Sequence, residues 1–206
     1  WLGQSYPLLN RSLTQERVGG HSLLYTWQGS DARLEPILLL AHQDVVPADN
    51  AERWSWPPFE GRIEDGFVWG RGAVDDKASL VAICEAVERL LADGYTPKRT
   101  VMLAFGHDEE VGGARGAGEI AKLLASRGVH ALLAIDEGSA VVHDLLPGFD
   151  RLVALIGISE KGSATLEVVA RAEGGHSSTP PRQSASGILA GAIERLEANP
   201  LPGGVV

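Results

Sequence analysis

The chain has 206 residues, 44% of them hydrophobic and 22% charged, which suits one full globular domain with a buried core and the start of a second. Its 18 Lys and Arg stand against 27 Asp and Glu, a formal charge of −9 with no long basic run, and this argues against a grip on nucleic acid or on an anionic membrane surface. No apolar run approaches the roughly 20 residues that span a bilayer, and the single cysteine, Cys84, excludes both a disulfide framework and a thiolate zinc cluster, so a metal here must be held by His, Asp and Glu.

Because the chain begins at Trp1 and its sole methionine is Met102, an initiator and any targeting segment are expected to lie outside it. Localisation is left open, with the cytoplasm favoured. In chain order, Ser22 to Trp27 reads as a short strand, and Pro36 to Ala41 as a buried strand running into His42-Gln43-Asp44. Residues Trp54 to Gly72, rich in Pro, Gly and Trp, read as an ordered loop with a small hairpin, turning at Pro57-Pro58 and Asp65-Gly66. From Asp76 to Ala92 the residues Leu80, Ile83, Cys84, Val87, Leu90 and Leu91 recur at three and four, the stripe of an amphipathic helix that Asp93-Gly94 ends. Thr100 to Phe105 is a second buried strand, Ala117 to Ser126 a helix, and Ala131 to Ile135 a third strand leading into Asp136-Glu137.

This alternation predicts an α/β fold, a mostly parallel sheet sandwiched by helices, with binding groups beyond the carboxyl ends of the strands. After Pro147 the pattern changes: Leu152 to Ile158 and Ala164 to Arg171 read as strands, followed by a helix over Ser184 to Leu196. A domain boundary is therefore expected near residue 160, dividing the chain into a larger domain over 1–159 and the start of a smaller α+β one over 160–206.

Divalent cations of hydrolases take imidazole and carboxylate ligands, and a further unligated carboxylate takes a proton from water. The chain offers that combination in His42-Gln43-Asp44, Asp75-Asp76-Lys77 and Asp108-Glu109-Glu110, with Asp136-Glu137 as a fourth acidic pair. His42 and Asp44 share one side of an extended segment, so Asp44 can hold the imidazole, while adjacent Glu109 and Glu110 diverge. Acidic residues also cap helices, and Asp75-Asp76 could simply start the helix that follows. Four clusters at strand ends predicted to share one sheet edge go beyond what capping requires. Gly112-Gly113-Ala114-Arg115-Gly116 reads as a turn before a helix, since the acids ahead of it would repel a phosphate. His21, His130 and His143 match no motif of the sequence, His107 reads as a packing residue, and Trp54, Trp56 and Trp69 either line a pocket or pack.

The chain resembles the zinc aminoacylase and carboxypeptidase S family of metallopeptidases, which includes glutamate carboxypeptidase-like enzymes. The resemblance runs from about Leu38 onward and rests on residues 40–47 (LAHQDVVP), 56–59 (WPPF), 70–77 (GRGAVDDK), 106–110 (GHDEE), 135–138 (IDEG) and 174–178 (GGHSS). It implies two zinc ions, with cobalt or manganese as substitutes. His42 would bind one ion, Asp75 would bridge both, Glu110 would bind the other, and Glu109 would be the general base. Asp44 would orient His42, and the Asp75–Asp76 peptide bond would be cis. The remaining carboxylate ligand is Asp136 or Glu137, with Asp136 preferred. His176 corresponds to the lid histidine that, in dimeric relatives, reaches the partner's site and stabilises an oxyanion. The implied substrates are small molecules, N-acyl amino acids or short peptides cut beside a free carboxylate, handled by a homodimer of the full-length protein.

Relatives supply a final histidine ligand from a segment after the lid, and none of the six histidines here stands in that context. The second metal position is thus expected to lack a ligand within these residues. The rival reading is a catalytically incomplete or non-catalytic family member acting as a binding or dimerisation module. Residues 45–47 (VVP) and 56–59 favour the carboxypeptidase S and N-acyl amino acid branch over aminopeptidases and desuccinylases.

Overall fold

In the computed structural model, which describes residues 1–138, 141–143, 147–148, 150–159, 162 and 164–202, the chain opens with two short helices, α1 (Leu2–Ser5) and α2 (Pro7–Ser12). Pro7 presets the first turn of α2, and the next two amides, of Leu8 and Leu9, donate to the two carboxylate oxygens of Glu88 at 2.9 and 2.7 Å. This far-off carboxylate does the work of a cap. It holds in place a helix whose Leu9 is fully buried.

Strands β1 (Thr14–Val18) and β2 (Ser22–Trp27) form an antiparallel hairpin turning at Gly19 and Gly20, both at positive φ. Next come β3 (Ile37–His42) and the small hairpin β4 (Arg62–Glu64) and β5 (Phe67–Trp69). That hairpin turns at Asp65 and Gly66, with φ of 52° and 82°, the pair of left-handed residues that a two-residue hairpin turn requires. Helix α3 (Lys77–Ala92), strand β6 (Val101–Gly106), helix α4 (Ala117–Ser126) and strand β7 (Leu133–Ile135) complete this part.

The five-stranded sheet has the order β1-β2-β6-β3-β7. The β6–β3 and β3–β7 pairs are parallel, β1–β2 and β2–β6 antiparallel, so β2 alone runs against the other four. Period-two alternation divides the core. Leu23, Tyr25 and Trp27 of β2, with Leu103 and Phe105 of β6, face Leu80, Cys84 and Val87 of α3 and Leu9 of α2. Leu24 and Ala104 face Ile120 and Leu124 of α4 on the opposite side. The sheet is therefore sandwiched between helices, as the alternating pattern predicted.

The register matters for the site. His42 pairs with Gly106, so β3 and β6 end level and release residues 43–44 and 107–110 at one sheet edge. β7 pairs Ile135 with Leu39, and the two acids that follow it run on toward the end of β3.

The chain divides into two compact units, Trp1–Gly138 and Ser139–Val206. The sequence places its change of pattern after Pro147 and its expected boundary near residue 160. The second unit contains a minimal antiparallel pair, β8 (Val141–Val142) with β9 (Val153–Ala154), and helix α5 (Ala185–Ala198), whose Ser184 side chain caps the Gly187 amide. The strand expected over Leu152 to Ile158 is only this two-residue stretch, and the one expected over Ala164 to Arg171 is not a strand. Apolar β-formers stand there, but among the described residues no strand pairs with them.

Candidate metal centre

His42 ends β3 and is only 3% exposed. Its main-chain N–H donates to Asp76 Oδ2 at 3.1 Å, and Asp76 is itself buried at the start of α3. Its ring lies between two sets of acceptors. Nδ1 stands 3.0 Å from the main-chain carbonyl of Asp44 and 3.4 Å from its carboxylate. Nε2 stands 2.9 Å from Asp75 Oδ1, 3.6 Å from Glu137 Oε1 and 3.9 Å from Glu109 Oε2. The Asp75–Asp76 peptide bond is cis, as the resemblance implied.

Ligand atoms of His42, Asp75 and Glu137 all lie within 4.8 Å of one another, the one group of three potential ligands found among the described residues. Of the two acids after β7, it is Glu137 whose carboxylate joins this group. Asp136 instead accepts the Glu137 amide at 2.9 Å. Glu110 Oε1 accepts the Val46 amide at 3.1 Å. The Asp44 carboxylate serves both arms of the site: beside the imidazole, it accepts the amides of Glu109 and Glu110, each at 3.1 Å. His176 belongs to the second unit, exposed, with Nδ1 taken by Ser178.

The electrostatics follow from so many carboxylates around one imidazole. Burial pushes the Glu137 carboxyl up, Asp76 and Asp75 push it further while His42 opposes them, and the result is about 7. Glu109 is raised chiefly by burial and then by Glu110, Asp44 and Asp75, against the pull of His42. For His42 burial favours the neutral ring, but the bond to Asp75 and the charges of Glu137 and Asp44 outweigh it and raise its pKa. Carboxylates outnumber the single imidazole, and a donor set of one imidazole nitrogen and several carboxylate oxygens fits a zinc-like divalent cation. With Nδ1–H donating to the Asp44 carbonyl, Nε2 is the nitrogen turned toward the carboxylates and the one that would coordinate an ion.

A model of the peptidase family M20/M25/M40 matches residues 38–202. The chain belongs to that family. It is 50% identical over 187 residues to an N-fatty-acyl-amino acid synthase/hydrolase of Danio rerio, covering 91% of this chain and 36% of that protein. It is 42% identical over 205 residues to carboxypeptidase S of Saccharomyces cerevisiae, covering 96% of this chain and 35% of that one. The chain thus spans little more than a third of the length of these relatives. Among solved structures, the fold matches an M20 family metallo-carboxypeptidase of Sulfolobus solfataricus with a TM-score of 0.55, at 23% identity over 68% of this chain and 32% of that one.

Some contacts lay outside the reach of the sequence. Asp76 holds the His42 amide, a role with no residue-level signal beyond its place in the GRGAVDDK run. His107 bonds buried Ser22 through Nδ1 at 2.7 Å, and His21, read from the sequence as unmatched, packs edge-on against the His107 ring with centroids 5.4 Å apart. Trp54 and Trp56 stack on Arg71 and Arg62, and the Trp69 indole N–H donates to the Glu64 carbonyl, so all three are engaged in packing the loop. No helix among the described residues is long and apolar enough to cross a membrane.

Proposed function

We propose that the chain is the metal-binding part of a hydrolase that cleaves an amide or peptide bond beside a free carboxylate, in N-acyl amino acids or short peptides. The observation that carries this reading is the convergence of Asp75, Glu137 and Glu109 on Nε2 of one buried histidine, in a chain of the M20/M25/M40 family. His42, Asp75 and Glu137 would hold one ion, and Asp75 together with Glu110 would contribute to holding a second. Zinc is the expected metal, with cobalt or manganese as substitutes.

When bound, such ions polarise a scissile carbonyl and acidify a nearby water. Glu109 takes a proton from the attacking water and returns it to the departing amine, a task suited to a carboxylate whose pKa is already raised. Asp44 fixes the imidazole and, through two amides, the Glu109–Glu110 turn. His176, in a lid domain over residues 160–206, stabilises the oxyanion, reaching the site of a partner copy in a homodimer of the full-length protein.

A second reading, a catalytically incomplete binding or dimerisation module, draws on one observation: among the described residues one group of three ligands assembles, not two. Metal stoichiometry by mass spectrometry, with hydrolysis of N-acyl amino acids and dipeptides alongside, separates the two. Two ions with turnover support the hydrolase, and one ion without turnover supports the module. An unchanged metal content in His42→Ala would overturn the hydrolase reading.

A further inference from the structure

Asp75 brings a carboxylate to His42 Nε2 although its side chain stands 62% exposed, too open for packing to fix its direction. Its placement must come from the residues that follow it. Asp76 and Lys77, at the start of α3, each bond the main chain of the segment that carries His42. The buried Asp76 carboxylate accepts the His42 amide at 3.1 Å, and the Lys77 ammonium donates to the Gln43 carbonyl at 2.8 Å.

Both bonds fall where the sheet gives out. The β3–β7 register stops at Leu39 and Ile135, so Leu40 to His42 have β6 alone as a strand neighbour. The Gln43 amide turns to β6 and donates to the Gly106 carbonyl at 2.8 Å. Successive amides of an extended chain face opposite sides, so the His42 amide faces the side that β7 has left. A buried N–H without an acceptor is costly, and Asp76 supplies the acceptor that a strand would have given. Gly72 clears the way for the second bond. Its carbonyl accepts the Lys77 amide at 3.1 Å, and at its φ of +82° a Cβ would stand 2.5 Å from Val45 Cγ1 and 3.2 Å from Lys77 Nζ.

We propose that Asp76 and Lys77 form a two-point clamp on the main chain of His42 and Gln43, positioning residues that hold the imidazole and the Asp75 carboxylate 2.9 Å apart in advance of an ion. The proposal rests on the hydrolase reading above, which makes those two groups ligands. One residue grips an N–H and the other the C=O of the next residue, so the segment resists both sliding and turning relative to Asp75. Ligands set in advance spare an ion the entropy of ordering them, and partners that orient ligands typically change metal affinity about 10- to 100-fold.

The test compares Asp76→Ala, Asp76→Asn and Lys77→Met with the parent chain, by calorimetric titration with zinc and by hydrogen exchange of the metal-free protein. Asp76→Ala is expected to lower zinc affinity about tenfold or more, and to speed exchange at the His42 amide while the core amides of Leu103 and Phe105 keep their rates. Asparagine keeps an acceptor oxygen, so Asp76→Asn is expected to return both readings close to the parent's. Lys77→Met removes a bond at an exposed side chain and is expected to cost about two- to fivefold in affinity. Unchanged affinity in folded Asp76→Ala or in Lys77→Met overturns the clamp. So does Asp76→Asn falling as far as Asp76→Ala, which would make the charge and not the acceptor the cause, and so does faster exchange throughout the core, the mark of a general loss of stability. Should Asp76→Ala fail to fold, Lys77→Met decides in its place. A parent chain that binds no zinc sinks the hydrolase reading, and the His42 exchange rates then decide the clamp alone.

Discussion

The two units differ in how side chains are held. In Trp1–Gly138 the core residues reach essentially zero exposure, and His42 is fixed by the Asp76 carboxylate, the Asp44 carbonyl and the Asp75 carboxylate, groups from two segments. In Ser139–Val206 none of the described residues is buried, and Ile156, Ile158, Leu166 and Val169 stand 60–91% exposed. The hydrophobic composition is similar in kind. What separates the regions is partnership: an apolar segment becomes a strand only when another strand is there to pair with it, and a polar side chain becomes a precise ligand only when distant segments converge on it.

The strongest test of that precision is chemical. Glu109→Gln removes the one carboxylate near His42 Nε2 proposed to carry the proton and leaves the three grouped ligands untouched. In a catalytically competent full-length protein, turnover of an N-acyl amino acid is expected to fall about 10²- to 10⁴-fold with metal content unchanged. Retained turnover, or loss of metal, would remove Glu109 from the role of base. The contrast between units can also be broken by stability. Phe105→Ala, in a fully buried site, is expected to cost about 3–5 kcal/mol, whereas Ile158→Ala, at 91% exposure, should stay within about 0.5 kcal/mol. Urea unfolding of both variants measures this; comparable losses would show that the second unit is packed more tightly than its exposure indicates.

Where local pattern coincided with tertiary demand, the fold could be read in advance. Leu80, Cys84 and Val87 spell a helix face and bury as one, and the run 36–41 is a central strand with neighbours on both sides. Helices α1 and α2 and strand β1 escaped notice for a physical reason. α2 depends on a carboxylate some 80 residues away, and the edge strand β1 carries no apolar alternation, its residues being half-buried at most. The site divides the same way. Strand ends predicted that four acidic clusters would gather at one edge, but which of Asp136 and Glu137 turns toward His42 depends on where β7 stops along β3, and no local pattern encodes that.

The electrostatic consequence of that choice is a pH effect. A cation held there would bind the ionised carboxylate, and the Glu137 carboxyl is pushed up to about 7, so protons would compete increasingly as pH falls through that value. Zinc affinity is expected to be about tenfold higher at pH 8 than at pH 6, from the ratio of ionised fractions for a group titrating near 7. His42, raised as well, adds in the same direction, since only the neutral ring coordinates. Calorimetry at the two pH values reads the slope. Glu137→Gln should weaken binding and reduce the dependence, whereas Asp136→Asn should leave it; the reverse result would make Asp136 the ligand.

The smallest effect compares two helix caps, one in each unit. Glu88 satisfies two amides at the start of α2 from another helix, and it anchors Leu9, whose side chain is fully buried between α2 and the sheet. Ser184 satisfies one amide at the start of α5 from the adjacent residue, on an exposed helix with no buried member. Charge-assisted bonds are the stronger kind, and losing Glu88 leaves two donors of a core helix unpaired, so Glu88→Ala is expected to cost about 2 kcal/mol. Ser184→Ala should cost about 0.5–1 kcal/mol, and that loss concerns α5 alone. Hydrogen exchange locates the effects: Glu88→Ala should speed exchange at Leu8 and Leu9 and lower the unfolding midpoint of the whole first unit, whereas Ser184→Ala should speed exchange only around Gly187. Equal global destabilisation by the two variants would mean that α5 is as deeply tied to its surroundings as α2, which its exposed surface contradicts.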